Sequence, residues 1–331
     1  MVPVLLAALA LPALSQDSGE GTLSSLRYDA VVAADGSGQF TSIQEAIMAA
    51  PHSATPAKRW VIFVKPGIYR ELVYVQRERG CIRLVGAAPE STVITYDLHA
   101  KMIGLDGKPI GTFRTPTVVI DGDDFVAENL TIENAAGPVA QAVALRVDGD
   151  RVVFRNCRLL GWQDTILLNR GRSYFEGCYI AGHVDFIFGG GTAVFVGCAI
   201  HCRGNGYVTA ASTPPGEEHG FVFWNCTITG EPGVRAYLGR PWRAHAAVVF
   251  LNTSMSEVVR PEGWHNWNKP ECERTVRFAE WKSTGPGAST ERRVPWARQL
   301  TDEEANSFTP ERVLGAWHGW RQGSVEPAAK K

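Results

Sequence analysis

The chain has 331 residues, of which 45% are apolar and 20% charged, a balance that permits a packed core and excludes global disorder. Lys and Arg number 33 against 34 Asp and Glu, so the formal net charge is -1. A dedicated nucleic-acid binder, which carries a strong basic excess, is thereby disfavoured. Gly and Pro are plentiful, at 34 and 19, but follow no period, which excludes collagen.

Residues 2–14 are almost wholly apolar, with small Ala13 and Ser15 ahead of polar Gln16 and Asp17. This pattern predicts a signal peptide over 1–15, although no Lys or Arg precedes the apolar run. A secreted or periplasmic protein is expected. A flexible segment over 16–27, one domain over 28–320 and a disordered tail over 321–331 complete the predicted organisation. No later apolar run reaches the roughly 18 residues of a membrane helix, and no membrane partner is expected.

Two short helices are predicted. Ser42 and Glu45 read as a capping box ahead of Ile43, Ala46, Ile47 and Ala50, with Pro51 as the stop. Thr301 and Glu304 read as a second. Both are expected to cap the ends of the fold, where strand edges would otherwise be exposed. Tyr69 and Glu71 are expected to tie the first turns of chain together. Asp123 and Asp124 read as a solvated turn, and residues 262–287, with Trp264, Trp267 and Trp281, as an irregular excursion.

Between them runs a repeat. FVAENLTI (125–132), VVFRNCRLL (152–160), SYFEGCYI (173–180), AVFVGCAI (193–200), FVFWNCTI (221–228) and VVFLNTSM (248–255) share one pattern. Each is an apolar stretch, then Asn or Gly, then a small residue, then more apolar residues. Aligned on Leu130, Cys157, Cys178, Cys198, Cys226 and Thr253, the steps are 27, 21, 20, 28 and 27 residues. A period of about 20–30 residues rich in β-branched and aromatic residues, with no helical pattern between, indicates stacked strand units. The economical all-β architecture is a parallel β-helix, one repeat per coil.

In that architecture Cys157, Cys178, Cys198 and Cys226 form an internal ladder of small apolar side chains. Cys178 and Cys198, on neighbouring coils about 4.8 Å apart, are close enough for a disulfide. The seven cysteines include no C-x-x-C. Cys198, His201 and Cys202 lack the usual zinc spacing, so no metal is expected. Asn129, Asn225 and Asn252 match the glycosylation sequon, but they recur at one turn position, where Asn tolerates tight backbone.

The chemistry-bearing feature is a pair of acids in register. Asp164 lies seven residues after Cys157, and Asp185 seven after Cys178. Equal offsets put the two one rung apart on one face. If they are partly buried, both cannot ionise easily, and a protonated acid beside a carboxylate suits acid–base or nucleophilic work. If they are exposed, both are ordinary turn formers. G-x-S-x-G, P-loop, G-x-G-x-x-G and H-E-x-x-H motifs are absent.

The surroundings carry a resemblance. GIYRE (67–71), QAVAL (141–145), GWQDT (161–165), GHVDFIFG (182–189) and LGRPW (238–242) occur in this order. Through these motifs the sequence from about Tyr28 to Trp320 resembles the pectin methylesterases, carbohydrate esterase family eight. The resemblance implies a right-handed parallel β-helix that hydrolyses the C6 methyl esters of pectin, methylated homogalacturonan, without a cofactor. It implies Asp185 as nucleophile and Asp164 as acid and then base. Gln141 and Gln163 become oxyanion donors, and Arg240 the cation that holds Asp185 ionised. Trp242 and Phe188 become sugar-binding residues, and His183 a local hydrogen-bonding residue. The long N-terminal inhibitor-like region of many plant relatives is missing, so a directly secreted enzyme is expected; a monomer is expected as well. A related esterase or thioesterase acting on another acyl group, a retaining glycoside hydrolase, and a non-catalytic polysaccharide binder are the alternatives on the same scaffold.

Overall fold

The computed structural model describes residues 27–317 and 319–321. The predicted signal peptide lies outside them, as do nearly all of the predicted flexible segment and tail. Every pairing between its strands is parallel. The chain winds through three faces in turn, which makes it a parallel β-helix. The first face is an 11-stranded sheet running from Ala30–Val32 to Arg298–Gln299. The second begins with Gly67–Arg70, Thr92–Tyr96, Thr131–Asn134 and Arg158–Leu160. The third begins with Val73–Val75, Val118–Ile120, Leu145–Val147 and Ile166–Leu168. Two long strands, Tyr179–Gly189 and Ala199–Ala211, continue from the second face into the third.

The repeat alignment is the structural register. Thr131, Arg158, Tyr179, Ala199, Thr227 and Ser254 pair in sequence across consecutive coils, each one residue after the predicted ladder positions. The residue before each ladder position is Asn129, Asn156, Gly177, Gly197, Asn225 or Asn252, all with φ between 46° and 60°. This left-handed conformation turns the chain from the first face to the second. It costs most residues roughly 1–2 kcal/mol but is open to Gly and Asn. The sequon asparagines therefore have a backbone role, reinforced by side-chain bonds from Asn156 to Asn129 (2.8 Å) and Asn252 to Asn225 (2.6 Å).

Inside the coils, Phe154, Phe175, Phe195, Phe223 and Phe250 stack with ring centroids 4.9, 4.6, 4.4 and 4.4 Å apart. Beside them Cys157, Cys178, Cys198 and Cys226 are buried, free thiols. The predicted Cys178–Cys198 bridge is absent. Each of these two sulfurs instead approaches main-chain carbonyls, those of Phe154 and Glu176 for Cys178 and of Phe175 and Val196 for Cys198. Cys202 is also buried, while His201 turns outward to Thr229 and Glu231.

The first helix, Ile43–Met48, closes the N-terminal end with Ile43, Ala46 and Ile47 buried. Its N-terminus is held by the Glu71 carboxylate, which accepts from the Ile43 and Gln44 amides and the Ser42 hydroxyl. Tyr69 is buried and donates to the Lys65 carbonyl. Ser42 caps the first helix by accepting from the Glu45 amide, without the reciprocal Glu45 bond that the predicted capping box requires, whereas the Thr301–Glu304 capping box forms in full. Its helix, Asp302–Ala305, does not cover the C-terminal end as predicted. With Val313, Leu314, Trp317 and Trp320 it lies along the outside of the first face, over Val126, Val153, Tyr174 and Val194. That face is apolar on both sides, so its flank requires a cover.

Two more expectations are corrected. Asp124 is buried, because Arg151 grips both its oxygens at 2.9 and 2.7 Å from the next coil. Residues 262–287 are not a pure excursion. Arg277–Trp281 is a first-face strand, and Trp264 is buried against Phe278 at 4.5 Å. Among the described residues no helix is long and apolar enough to cross a membrane.

The aromatic stack makes the core sensitive to truncation. Phe195→Ala, which empties the middle of the stack, should lower the stability read by denaturant unfolding by about 3–5 kcal/mol. A loss below about 1 kcal/mol would show that the stack does not hold the coils together.

Candidate active site

Ile166 pairs with Ile187 and Leu167 with Phe188 on the third face. Two residues earlier in each coil stand Asp164 and Asp185, with the Asp164 amide donating to the Val184 carbonyl at 3.0 Å. Both have left-handed backbones, with φ of 65° and 53°. Asp tolerates that conformation better than most residues, and here it bends each coil from the second face to the third. The two acids thus sit side by side at one corner of the solenoid. They are also nearly out of water, Asp164 at 9% exposure and Asp185 at 5%, which excludes the solvated-turn reading.

Their partners differ. Asp185 is held by a two-pronged ion pair, Arg240 Nε to Oδ1 at 2.8 Å and Nη2 to Oδ2 at 2.7 Å. The Arg240 guanidinium lies between two rings, 3.9 Å from the centroid of Tyr207 and 3.7 Å from that of Trp267. This sandwich fixes its plane, so the fork is aimed before any substrate arrives. Among the described residues no group donates a hydrogen bond to the Asp164 carboxyl. Burial and the facing Asp185 charge push Asp164 up from 3.8 to about 8, against the opposing pull of Arg240. Burial also raises Asp185, and this rise outweighs the opposing Arg240 hydrogen bonds and charge, which Asp164 lacks as direct contacts. The fork requires a carboxylate, so the single proton of the pair resides on Asp164 at neutral pH.

Gln163 directly precedes Asp164, and its carbonyl accepts from the Ala142 amide one coil earlier at 3.1 Å. Gln141 and Gln163 are therefore neighbours on adjacent coils beside the acid pair. Both are half-buried, and among the described residues no group pairs with either side-chain amide. Phe188 is only 5% exposed and packs with Val143, Leu167 and Ala210 beneath Trp242, 5.8 Å away. Trp242 presents the half-exposed aromatic surface, backed by Phe188. The His183 ring has an unpaired, buried Nδ1, and it meets the Trp162 ring edge-on at 5.5 Å.

All five predicted polar residues thus converge on one corner. Sequence reasoning missed the clamp on Arg240. Trp267 fell within the stretch read as an excursion, and Tyr207 follows a bulge in which the repeat loses its step. The cluster of Trp264, His265 and Trp267 was the available signal for Trp267.

This arrangement has counterparts. A sequence profile described as Pectinesterase matches residues 29–316. Pectinesterase 31 of Arabidopsis thaliana is 45% identical over 284 residues, spanning 84% of this chain and 89% of that protein. Among solved structures, pectin methylesterase from carrot superposes with a TM-score of 0.82 at 36% identity, covering 88% of this chain and 94% of that one. A pectin methylesterase in complex with a hexasaccharide gives 0.78 at 33% identity, covering 88% and 98%. The chain belongs to the pectinesterase family.

The raised Asp164 has a consequence for stability. Its folded pKa, about 8, lies above the ordinary 3.8, so folding favours the protonated form. The contribution is fully present below about pH 4 and is lost as pH climbs through about 8. Asp164→Asn should abolish this slope. Across that window the thermal midpoint of the unaltered protein should fall relative to the variant, and parallel curves would contradict the assignment.

Proposed function

We propose that the protein hydrolyses the C6 methyl esters of pectin, with Asp185 as nucleophile and Asp164 as proton carrier. The observation that carries this reading is the asymmetry of the buried pair, in which Asp185 is forked by Arg240 and Asp164 has no donor among the described residues. A carboxylate is a weak nucleophile, and ionisation, desolvation and fixed aim compensate for that.

One Asp185 oxygen attacks the ester carbonyl carbon. The carbonyl oxygen takes up the negative charge and accepts hydrogen bonds from the amides of Gln141 and Gln163, a role typically worth ~3 kcal/mol per donor. As the carbon–methoxy bond breaks, the Asp164 proton moves to the methoxy oxygen and methanol leaves. This leaves an acyl anhydride between Asp185 and the sugar carboxyl, with Asp164 ionised. Asp164 then takes a proton from water, whose oxygen attacks the acyl carbon. The bond to Asp185 breaks, its carboxylate returns to Arg240, and the product is a free uronic acid that ionises in solvent. Trp242 offers an aromatic face to the C–H face of a pyranose. The likeness to pectinesterase 31 and to the solved pectin methylesterases supports this substrate. A polymer of this kind is met outside the cell, which agrees with export directed by the apolar N-terminal run.

Methanol release from highly methylated pectin tests the reading. Asp185→Asn should lose on the order of a thousandfold or more in kcat while keeping the fold, as removing a covalent nucleophile does. Near-normal turnover would refute the nucleophile assignment.

The pH profile supplies a second test. The acid must be protonated, so kcat/KM should decline as pH rises through about 8. A profile flat to well above that point would refute Asp164 as the acid.

A further inference from the structure

The loop that carries one wall of the Arg240 clamp has an uncommon backbone. Trp267 and Asn268 are consecutive left-handed residues, with φ of 59° and 56°. Asn accepts this conformation readily, whereas a bulky Trp is strained by it and keeps it only where its surroundings impose it. Two side chains impose it here. The Trp267 amide donates to Nδ1 of His265 at 3.0 Å, and the Asn268 amide to Oδ1 of Asn266 at 2.9 Å. An imidazole nitrogen accepts only when it carries no proton, so His265 is neutral with its hydrogen on Nε2.

The register brings His265 to the clamp. Gly239 bridges Trp264 in parallel, and the His265 amide donates to the Gly239 carbonyl at 3.0 Å. Arg240 and His265 therefore stand at the same rung on consecutive coils. The half-buried His265 ring leans on Tyr207 and Tyr237, with centroids 5.6 and 5.2 Å away, and those two rings stack on each other at 5.4 Å. Tyr207 is one wall of the clamp and Trp267 the other. One imidazole thus packs on the first wall and holds the backbone of the second. The titratable and charged groups around it are Tyr207, Tyr237 and Arg240, with Asp185 beyond Arg240. Arg260 lies over Tyr237 at 5.0 Å, Lys269 over Trp267 at 5.1 Å, and Glu273 accepts from the neighbouring Asn266 at 2.7 Å. Burial, and then the Arg240 charge, hold His265 below its ordinary 6.5.

Resting on the proposed mechanism, we propose that His265 is a positioning residue, whose neutral ring braces the aromatic clamp and so keeps Arg240 aimed at Asp185. It acts through Trp267 and Tyr207. Protonation at Nδ1 ends the bond to the Trp267 amide and sets a cation beside Arg240. The left-handed Trp267 then relaxes, the fork loosens, and Asp185 takes up a proton at higher pH. Activity therefore falls on the acid side through two linked protonations, that of the brace and that of the nucleophile.

The test compares the full chain with His265→Ala and His265→Asn, reading methanol release from highly methylated pectin across acid and neutral pH. The side-chain oxygen introduced by His265→Asn can accept the amide two residues on, as Asn266 does for Asn268, and it does not titrate. His265→Ala should lower kcat at neutral pH about fivefold and move the acid limb of kcat/KM up by roughly 0.7 pH unit, the scale of one neutral hydrogen bond. His265→Asn should recover most of kcat and place that limb at or below its position in the unaltered chain. A loss with an unmoved limb, which a merely structural role produces, would overturn the proposal. So would full activity in His265→Ala, an Asn variant no better than the Ala one, or an Asn variant whose limb lies above that of the unaltered chain. Nitrogen NMR of the unaltered chain with isotope-labelled histidine, its His265 signal assigned from the Asn variant, reads the ring without turnover. It should show the Nε2–H tautomer at neutral pH, and a proton on Nδ1 there would overturn the brace. If the unaltered chain released no methanol, the ester reading would fall, and the tautomer would still decide the brace separately.

Discussion

Two carboxyl groups on neighbouring coils, both almost out of water, cannot carry two charges at neutral pH without a large electrostatic penalty. Burial disfavours each anion, and each anion disfavours the other, so one group keeps its proton. Which one is decided by Arg240, whose fork closes on Asp185 and not on Asp164. The division of labour between nucleophile and acid is thus an electrostatic outcome of one ion pair placed off-centre. Such a pair is poor value for stability, since desolvating two ions offsets much of their attraction. Its effect is to hold a carboxylate charged where water would otherwise be needed.

The solenoid supplies what that arrangement requires. Parallel register turns an equal spacing in sequence into adjacency in space, so Asp164 and Asp185 meet without any long-range folding accident. Left-handed backbone at both positions bends the coil at the acids themselves. Arg240 follows the third-face strand Ala236–Gly239, one coil beyond the long strand Ala199–Ala211, and is kept in plane by Tyr207 and Trp267. Rigid coils thus fix the acids, and an aromatic clamp from less regular chain fixes the cation.

What could be read in the sequence follows the same division. The coil ladder was legible because strand pairing copies residue spacing, and Asp164 and Asp185 shared an offset from Cys157 and Cys178. The asparagine turns were legible because few residues accept left-handed backbone. The motifs around Gln141, Gln163 and Arg240 added what spacing could not. Partners between coils of unequal length escaped. Asp124 looked solvated because Arg151, 27 residues later, is not visible as its neighbour in one dimension. Tyr207 escaped because the register slips between Gly182 and Ile187, so its coil no longer matches the repeat. The course of the C-terminal helices also escaped, because capping signals mark where a helix starts and not the surface it covers.

The most direct measurement is the infrared difference spectrum of the unaltered protein against Asp164→Asn at neutral pH. One neutral carboxylic acid carbonyl band should be present in the unaltered protein, absent from the variant, and lost as pH passes about 8. If the band is missing at neutral pH, both aspartates are ionised, and the proton that departing methanol requires is not held where the geometry puts it.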